Sequence, residues 1–391
     1  MRVAYICADP GVPVFGCKGA SIHVQEVIRA LRRRGASVEL FAARFGGDAP
    51  ADLAALPCIG LPRPPKGLGP EREAAGIAAN EALSAALSQR PAFDLVYERY
   101  SLWSFAGMAW AREHGCPSVL EVNAPLVEEQ AEHRVLHDRA LAEQIARRVF
   151  GEAGSILAVS SGVAAYLRSR GANTAAVQVV PNGVDPERFL LPRRPRPDGP
   201  FRIGFVGTLK PWHGLLTLIE AAAEARDKGL ELRLLLVGDG PERGRVEAEL
   251  RNAGLAAVTE LTGDVDPGRI PTLLANVDVA TAPYPELPDF YFSPLKIMEY
   301  MAASKAIVAS RIGDIDGLIV DRVTGLLCPP GDAHALAEAL VWLAGNPESG
   351  ARMGEAARRF AVQELSWNKV GERIIEMVRR QQLASAYVRS C

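Results

Sequence analysis

The sequence predicts an α/β protein built as two doubly wound domains in tandem. Three observations carry this. Short apolar runs of strand length alternate with longer amphipathic runs, the pattern of a parallel sheet covered on both faces. The alternation stops near residue 180 and restarts near residue 200. Between the two sets lies a Pro/Arg-rich stretch, 191–200, with the composition of an exposed linker. The 391 residues are enough for two or three domains with sizeable cores.

In chain order, the first set of strands is read at Val3–Cys7, Val38–Phe41, Leu95–Glu98, Ser118–Val122, Ile156–Val159 and Val177–Val180. Helices lie between most of them, as at Ser21–Arg34, Ser101–His114 and Glu128–Val149. The second set runs Phe201–Val206, Leu232–Val237, Val258–Leu261, Val277–Ala282, Ala306–Ser310 and Leu326–Cys328. From Asp332 onward the period is helical, with Leu336, Ala339, Leu340 and Leu343 on one face. Two such domains leave a cleft lined by the C-terminal ends of their strands, where open α/β sheets bind ligands.

Composition narrows the function. A net charge of −2 argues against a dedicated nucleic-acid binder. The six cysteines are scattered without a C-x-x-C pair, so neither a zinc site nor a disulfide framework is signalled, and a reducing, cytoplasmic setting is expected. Met1 and Arg2 lead straight into a strand, without the pattern of a signal peptide, and no apolar run is long enough to cross a bilayer. Basic clusters at Arg32–Arg34, Arg147–Arg148, Arg193–Arg196 and Arg379–Arg380 read as solvated helix ends. Peripheral contact with the anionic inner face of a membrane is the minority alternative.

The candidate residues gather at strand ends. The loop after the first strand contains Gly16 and Gly19, which permit close approach of a backbone to a ligand, and the next helix is expected to open near Ser21, with His23 just inside it. Glu121 and Asn123 close the strand at 118–122 and face the expected cleft, with Asn123 placed to donate to a sugar hydroxyl. A plain turn before proline explains Asn123 equally well. His133 and His137 stand four apart, a metal-ligand spacing, but charges surround both and a solvated helix face is the better reading. In IGFVGTLKPWHG, 203–214, Gly207 permits a tight turn, while Lys210 and His213 flank space for a phosphate. VGDGPERG, 237–244, is an incomplete dinucleotide fingerprint, with Arg243 at the third glycine position.

One stretch organises the rest: FYFSPLKIMEYMAASKAIVAS, 290–310, read as loop, helix and strand. Ser293 is expected to cap the helix and Pro294 to open it. Leu295, Met298 and Ala302 form its apolar face. Such a start offers free N–H groups to an anion, and Glu299, more than a turn inside, is placed to meet a sugar hydroxyl beside it.

PNGVDPERF, FVGTLKPWHG, LLLVGDGPER, LTGDV, SPLKIMEYMAASKAIVAS and GLLCPPGD, in that order, closely resemble family 4 of the retaining glycosyltransferases; AVSSGVAAYL, 158–167, and the first loop resemble it more loosely. The resemblance implies a GT-B fold, two Rossmann-like domains facing across a cleft. It implies an N-terminal acceptor-side domain at 1–181, a C-terminal nucleotide-sugar domain at 182–365, and a helix at 366–391 returning to the first. Glu299 matches the glutamate that binds the donor ribose. Ser293, Pro294 and Leu295 match the segment whose backbone meets the diphosphate. Gly207 precedes the donor-phosphate residues, and Gly263 and Val265 lie in the turn bordering the base. The chain departs from the family pattern at Tyr291 for a glutamate, Thr208 for an arginine, His213 for a lysine and Asn123 for a histidine.

The implied reaction moves a sugar from a nucleotide diphosphate to a glycan, lipid-linked or small-molecule acceptor, with retention and without a metal. Charge on the departing diphosphate calls for preorganised donors. Lys210, the 207–214 turn's one permanent cation, is expected to carry most of that stabilisation, with His213 and the helix start assisting. The competing readings are a nucleotide-sugar epimerase of the same fold and a catalytically weakened partner in glycan assembly.

Overall fold

The computed structural model describes residues 1–67, 69–190, 199–288 and 290–390, with side chains to residue 387. The Pro/Arg stretch 191–198, including the Arg193–Arg196 cluster, lies outside the described residues. The chain forms two compact units. One comprises Met1–Asn182, Tyr291–Ser293 and Trp367–Cys391; the other comprises Gly183–Phe290 and Pro294–Ser366.

The first unit is built on seven parallel strands: β1 (Arg2–Cys7), β2 (Ser37–Ala42), β3 (Cys58–Gly60), β4 (Leu95–Arg99), β5 (Ser118–Val122), β6 (Ser155–Ala158) and β7 (Val177–Val179), in the order β3-β2-β1-β4-β5-β6-β7. The second holds six: β8 (Phe201–Val206), β9 (Leu232–Val237), β10 (Thr259–Gly263), β11 (Val279–Ala282), β12 (Ala306–Ser310) and β13 (Leu326–Cys328), in the order β10-β9-β8-β11-β12-β13. Both sheets reverse their winding beside their first strand, between β1 and β4 and between β8 and β11. Crevices that bind ligands in open α/β sheets lie at such reversals.

The central strands are apolar on both faces because helices cover both. Tyr5 of β1 and Tyr97 of β4 are fully buried and stack at 5.1 Å. The helix Gly19–Arg33 buries Val24, Val27, Ile28 and Leu31, each worth about 1.5–3 kcal/mol. The long helix Trp367–Ser390 lies against it and reaches the sheet. There Gln381 accepts from the Ser118 N–H (3.0 Å) and donates to the Ser118 carbonyl and the Ser155 hydroxyl (2.9 Å each).

Several expected boundaries shift. The first helix opens at Gly19, two residues before Ser21, and Ala106–Glu113 is helical where 101–114 was expected. The run 128–149 is two helices, Leu126–His133 and Arg139–Glu152, because Asp138 caps the second through the Leu141 N–H (2.8 Å). His133 and His137 therefore share no helix face. The short edge strand β3 carries too little pattern to be read. The helix expected to open on Ser293-Pro294 instead runs Leu295–Ala302, with Pro294 at the cap position and no side-chain cap. Leu295 is exposed rather than on the apolar face, which Met298 and Ala302 do occupy.

In the second unit the turns after β8 and β9 touch backbone to backbone. Gly207 N–H donates to Val237, and Leu209 N–H to Asp239 (2.9 Å each). Gly238, at φ 133°, leaves no room for a side chain: a Cβ would stand 2.1 Å from the Gly207 carbonyl oxygen. Gly238→Ala is therefore expected to destabilise the protein by at least about 1–3 kcal/mol, read as a lower midpoint in urea unfolding. An unchanged midpoint would show that these turns are free to separate.

Candidate functional site: two strand-end clusters

At the winding reversal of the second unit, β8 ends at Val206 and leads through Gly207, Thr208 and Lys210 to the 3-10 turn Pro211–His213. Thr208 is exposed. Lys210 is half-buried, its Nζ 5.3 Å above the Trp212 ring. His213 Nδ1 stands 2.5 Å from the Thr208 carbonyl, so this nitrogen carries the proton and Nε2 is left as an acceptor. Burial first, then Lys296 and Lys210, push His213 down to about 4. It is neutral at pH 7 and supplies no positive charge there.

The helix Leu295–Ala302 starts at the same edge of this sheet. Ile297 is the first N–H to turn back, onto the Pro294 carbonyl (3.0 Å), so those of Leu295 and Lys296 have no intrahelical acceptor. Glu299 is half-buried and its carboxylate hydrogen-bonds to none of the described residues; burial raises its pKa and Arg188 partly offsets this. Gly263, at φ 69°, closes β10 and accepts from the Gly238 N–H (3.1 Å). Val265 packs into the apolar cluster around Met298.

Sequence reasoning missed Lys296. Its Nζ is buried without a hydrogen-bond partner, over the rings of Phe205 (4.3 Å) and Tyr284 (5.1 Å). A Cβ on Gly207 would stand 3.1 Å from it. The available signal was a lysine inside a helical run otherwise buried at Ile297, Met298, Tyr300 and Met301.

In the first unit a cavity of about 670 Å³ opens at the ends of β1, β4 and β5. Asp9, Arg44, Arg63, Arg99, Asn123 and Glu129 are among the residues that line it. Gly16 lines an adjoining hollow that shares Arg44 and Arg63, and Gln25 holds the first loop by donating to the Val14 (2.8 Å) and Gly16 (3.0 Å) carbonyls. Gly19 sits at the helix start with open space beside it.

Glu121, expected to face the cleft, is buried, and so is His23 of the first helix. His23 Nε2 lies 2.8 Å from Glu121 Oε1, off the axis of a hydrogen bond, and the ring meets Trp367 edge-on at 5.1 Å. The Glu121 carboxylate accepts from Arg99 (2.9 Å), the Tyr97 hydroxyl and Asn123 Nδ2. It thus positions Asn123 at the cavity wall. Tyr291 also belongs to this unit: its hydroxyl donates to Glu129 (2.7 Å), and its carbonyl accepts from Ser160 (2.6 Å). The Ser293 hydroxyl is buried and uncapping.

Among the described residues, one group has the spacing of a metal site: Glu224, His334 and Glu338. The Lys228 ammonium already bridges its two carboxylates, and the group is exposed at one end. No described helix is long and apolar enough to cross a membrane.

The two Rossmann-like units are those of a GT-B glycosyltransferase, as comparison with known proteins shows. The Glycosyltransferase Family 4 model matches residues 18–188, and the Glycosyl transferases group 1 model matches residues 200–346. The chain belongs to this family 4, group 1 type of glycosyltransferase. It is 26% identical over 290 residues to a glycogen synthase of Mycobacterium tuberculosis, covering 72% of this chain and 67% of that one. It is 26% identical over 419 aligned residues to alpha-maltose-1-phosphate synthase of the same organism, covering 97% and 99%. The crystal structure of Anabaena Alr3699/HepE in complex with UDP shares the fold at a TM-score of 0.73 and 18% identity, over 97% of this chain and all of that one, 100%.

The Glu121 cluster yields a pH prediction. Burial acts to raise its pKa, but His23, Arg99 and Tyr97 outweigh it and hold the carboxyl well below the usual range. A depressed folded-state pKa contributes stability above the unfolded value of about 4.3, and that contribution is lost as pH falls. Glu121→Gln is therefore expected to be less stable than the parent at pH 7, with the gap narrowing below about pH 4. Unfolding curves at pH 7 and pH 3 test this; a gap that widens on acidification would contradict it.

Proposed function

We propose that the chain is a retaining glycosyltransferase that takes a nucleotide diphosphate sugar in its second unit and an acceptor at the basic cavity of its first. The observation that carries the donor assignment is the meeting of the Gly207 turn, the uncapped helix start at Leu295 and the unbonded Glu299 carboxylate at one winding reversal. N–H groups and a permanent cation suit a diphosphate; a carboxylate one turn further along suits the ribose hydroxyls. The Anabaena Alr3699/HepE structure, whose fold this chain shares, was obtained in complex with UDP, which supports a nucleotide donor.

Departure of the diphosphate builds negative charge on the leaving oxygen. Lys210 and the N–H groups of Leu295 and Lys296 are in place before reaction, so they stabilise that charge without reorganising. The acceptor attacks from the face the leaving group vacates, which retains the anomeric configuration, and the departing phosphate takes its proton. Neutral His213 contributes an acceptor nitrogen at Nε2. This charge balance calls for no metal. In the first unit, Asn123, held by Glu121, meets an acceptor hydroxyl, and Arg44 and Arg63 favour acceptors that carry negative charge. The two sequence relatives named above are synthases, and no observation favours epimerisation. A cytoplasmic location belongs to the same reading; five described cysteines are free.

Thermal shift against UDP-, GDP-, ADP- and dTDP-sugars tests the donor assignment, since a true donor stabilises the folded state by mass action. One sugar nucleotide is expected to stand out, and NMR of the product is expected to show the donor's own anomeric configuration. Glu299→Ala should weaken that donor by roughly 1.5–3 kcal/mol while unfolding normally. Equal affinity in a folded variant would remove Glu299 from the ribose.

Lys210→Ala should lower kcat by about 10²–10³, and His213→Ala by less, because the imidazole is already neutral. A fully active Lys210→Ala enzyme would move the leaving-group charge elsewhere.

A further inference from the structure

Lys296 is the one buried amine among the described residues whose ammonium has no hydrogen-bond partner. An ammonium carries three donors and no acceptor, and an unpaired one is costly to keep away from water. Lys305, also buried, shows the ordinary solution: its Nζ donates to the Val277 carbonyl (3.0 Å). Lys296 instead stands over two ring faces, which attract a cation weakly, and under Gly207, which has no side chain to cover it. Its own backbone N–H is one of the two free donors of the helix start. The missing acceptors are therefore oxygens that enter at the winding reversal between β8 and β11.

We propose that Lys296 is the inner cation of an anion subsite at Gly207, and that its ammonium takes a phosphate group of the donor diphosphate as its missing partner. This rests on the donor reading above and adds a residue to it. Thr208, at the position where the family pattern has an arginine, cannot supply charge, and His213 is neutral. Lys210 lies outside on Trp212, so Lys296 provides the charge from within.

The surroundings make the subsite proton-linked. The titratable groups facing Lys296 are His213 and the Tyr284 phenol, which burial pushes up. Neither offers a negative charge at neutral pH. Burial alone brings Lys296 down to about 7. Without ligand, the amine is thus divided between its two forms near neutrality. A bound diphosphate favours the charged form, so binding takes up a proton above pH 7. Affinity should then fall by up to about tenfold per pH unit as pH rises past 7.

The test is titration calorimetry of the full chain with UDP, GDP, ADP and dTDP, at pH 6.5 and 8.5, each in two buffers of different ionisation enthalpy. The parent protein is expected to bind one of them more tightly at pH 6.5 and to take up a proton at pH 8.5. Lys296→Met should bind that diphosphate about 10–100-fold more weakly at pH 6.5, with no proton uptake. Lys296→Arg should keep the affinity without the uptake, because a guanidinium stays charged. A folded Lys296→Met protein with parental affinity and uptake would overturn the proposal while leaving the donor site standing. A parent that binds none of the four would overturn both. If the variants do not fold, the parent's own profile decides: no proton uptake and a flat affinity between pH 6.5 and 8.5 overturn the proposal.

Discussion

Parallel strands cannot be joined by a tight turn; each connection must climb back across the sheet, and a helix does this most economically. That constraint shapes both units. It puts the end of every strand at one edge, and it hands that edge the loops that are free to vary. Where the winding reverses, two such loops diverge and leave a gap that neither helix layer fills. In the first unit the gap is the cavity beside Asp9, Arg99 and Asn123. In the second, the Gly207 turn and the Leu295 helix start stand at that reversal.

The two edges treat buried charge in opposite ways. Glu121 has a full set of partners: His23, Arg99, Tyr97 and Asn123 surround it, and its negative charge is fixed. Breaking such a set by removing one member leaves the others uncompensated, which is why it behaves as framework. Lys296 has no partner of opposite charge. A fully satisfied cluster specifies a shape, whereas an unsatisfied one specifies a ligand. The same contrast separates Lys305, tied to a carbonyl, from Lys296.

The periodic parts of the chain were legible in the sequence. Central strands such as β1, β4 and β9 announce themselves by apolar runs, and the tail helices by their faces. β3 did not, because an edge strand of three residues carries almost no pattern. The helix after Ser293 begins one residue later than expected, because a proline fixes its own φ but leaves open on which side of it the helix begins. Glu299 and the Gly207 turn were singled out by the ordered motifs and the family resemblance they carry, and both stand at the winding reversal of the second unit. Glu121 was read as a polar residue at a strand end and His23 as one at a helix start, but whether such a residue faces ligand or core depends on partners as distant in sequence as Trp367. Lys296 was hidden for the converse reason: a lysine in a helix reads as solvated until its neighbours are known.

The bond between Gln381 and Ser118 spans 263 positions of sequence. A ribosome releases β5 long before it releases the residue that pins β5 to β6. The first unit, begun earliest, therefore waits for the last helix before its sheet is fully clasped, while nearly all of the second unit lies in one continuous stretch between them. Synthesis order and completion order are reversed. Until the Trp367–Ser390 helix is made, the surface that it will cover stands open to chaperones, and a chain cut short before Trp367 would carry a finished second unit joined to an unclasped first one.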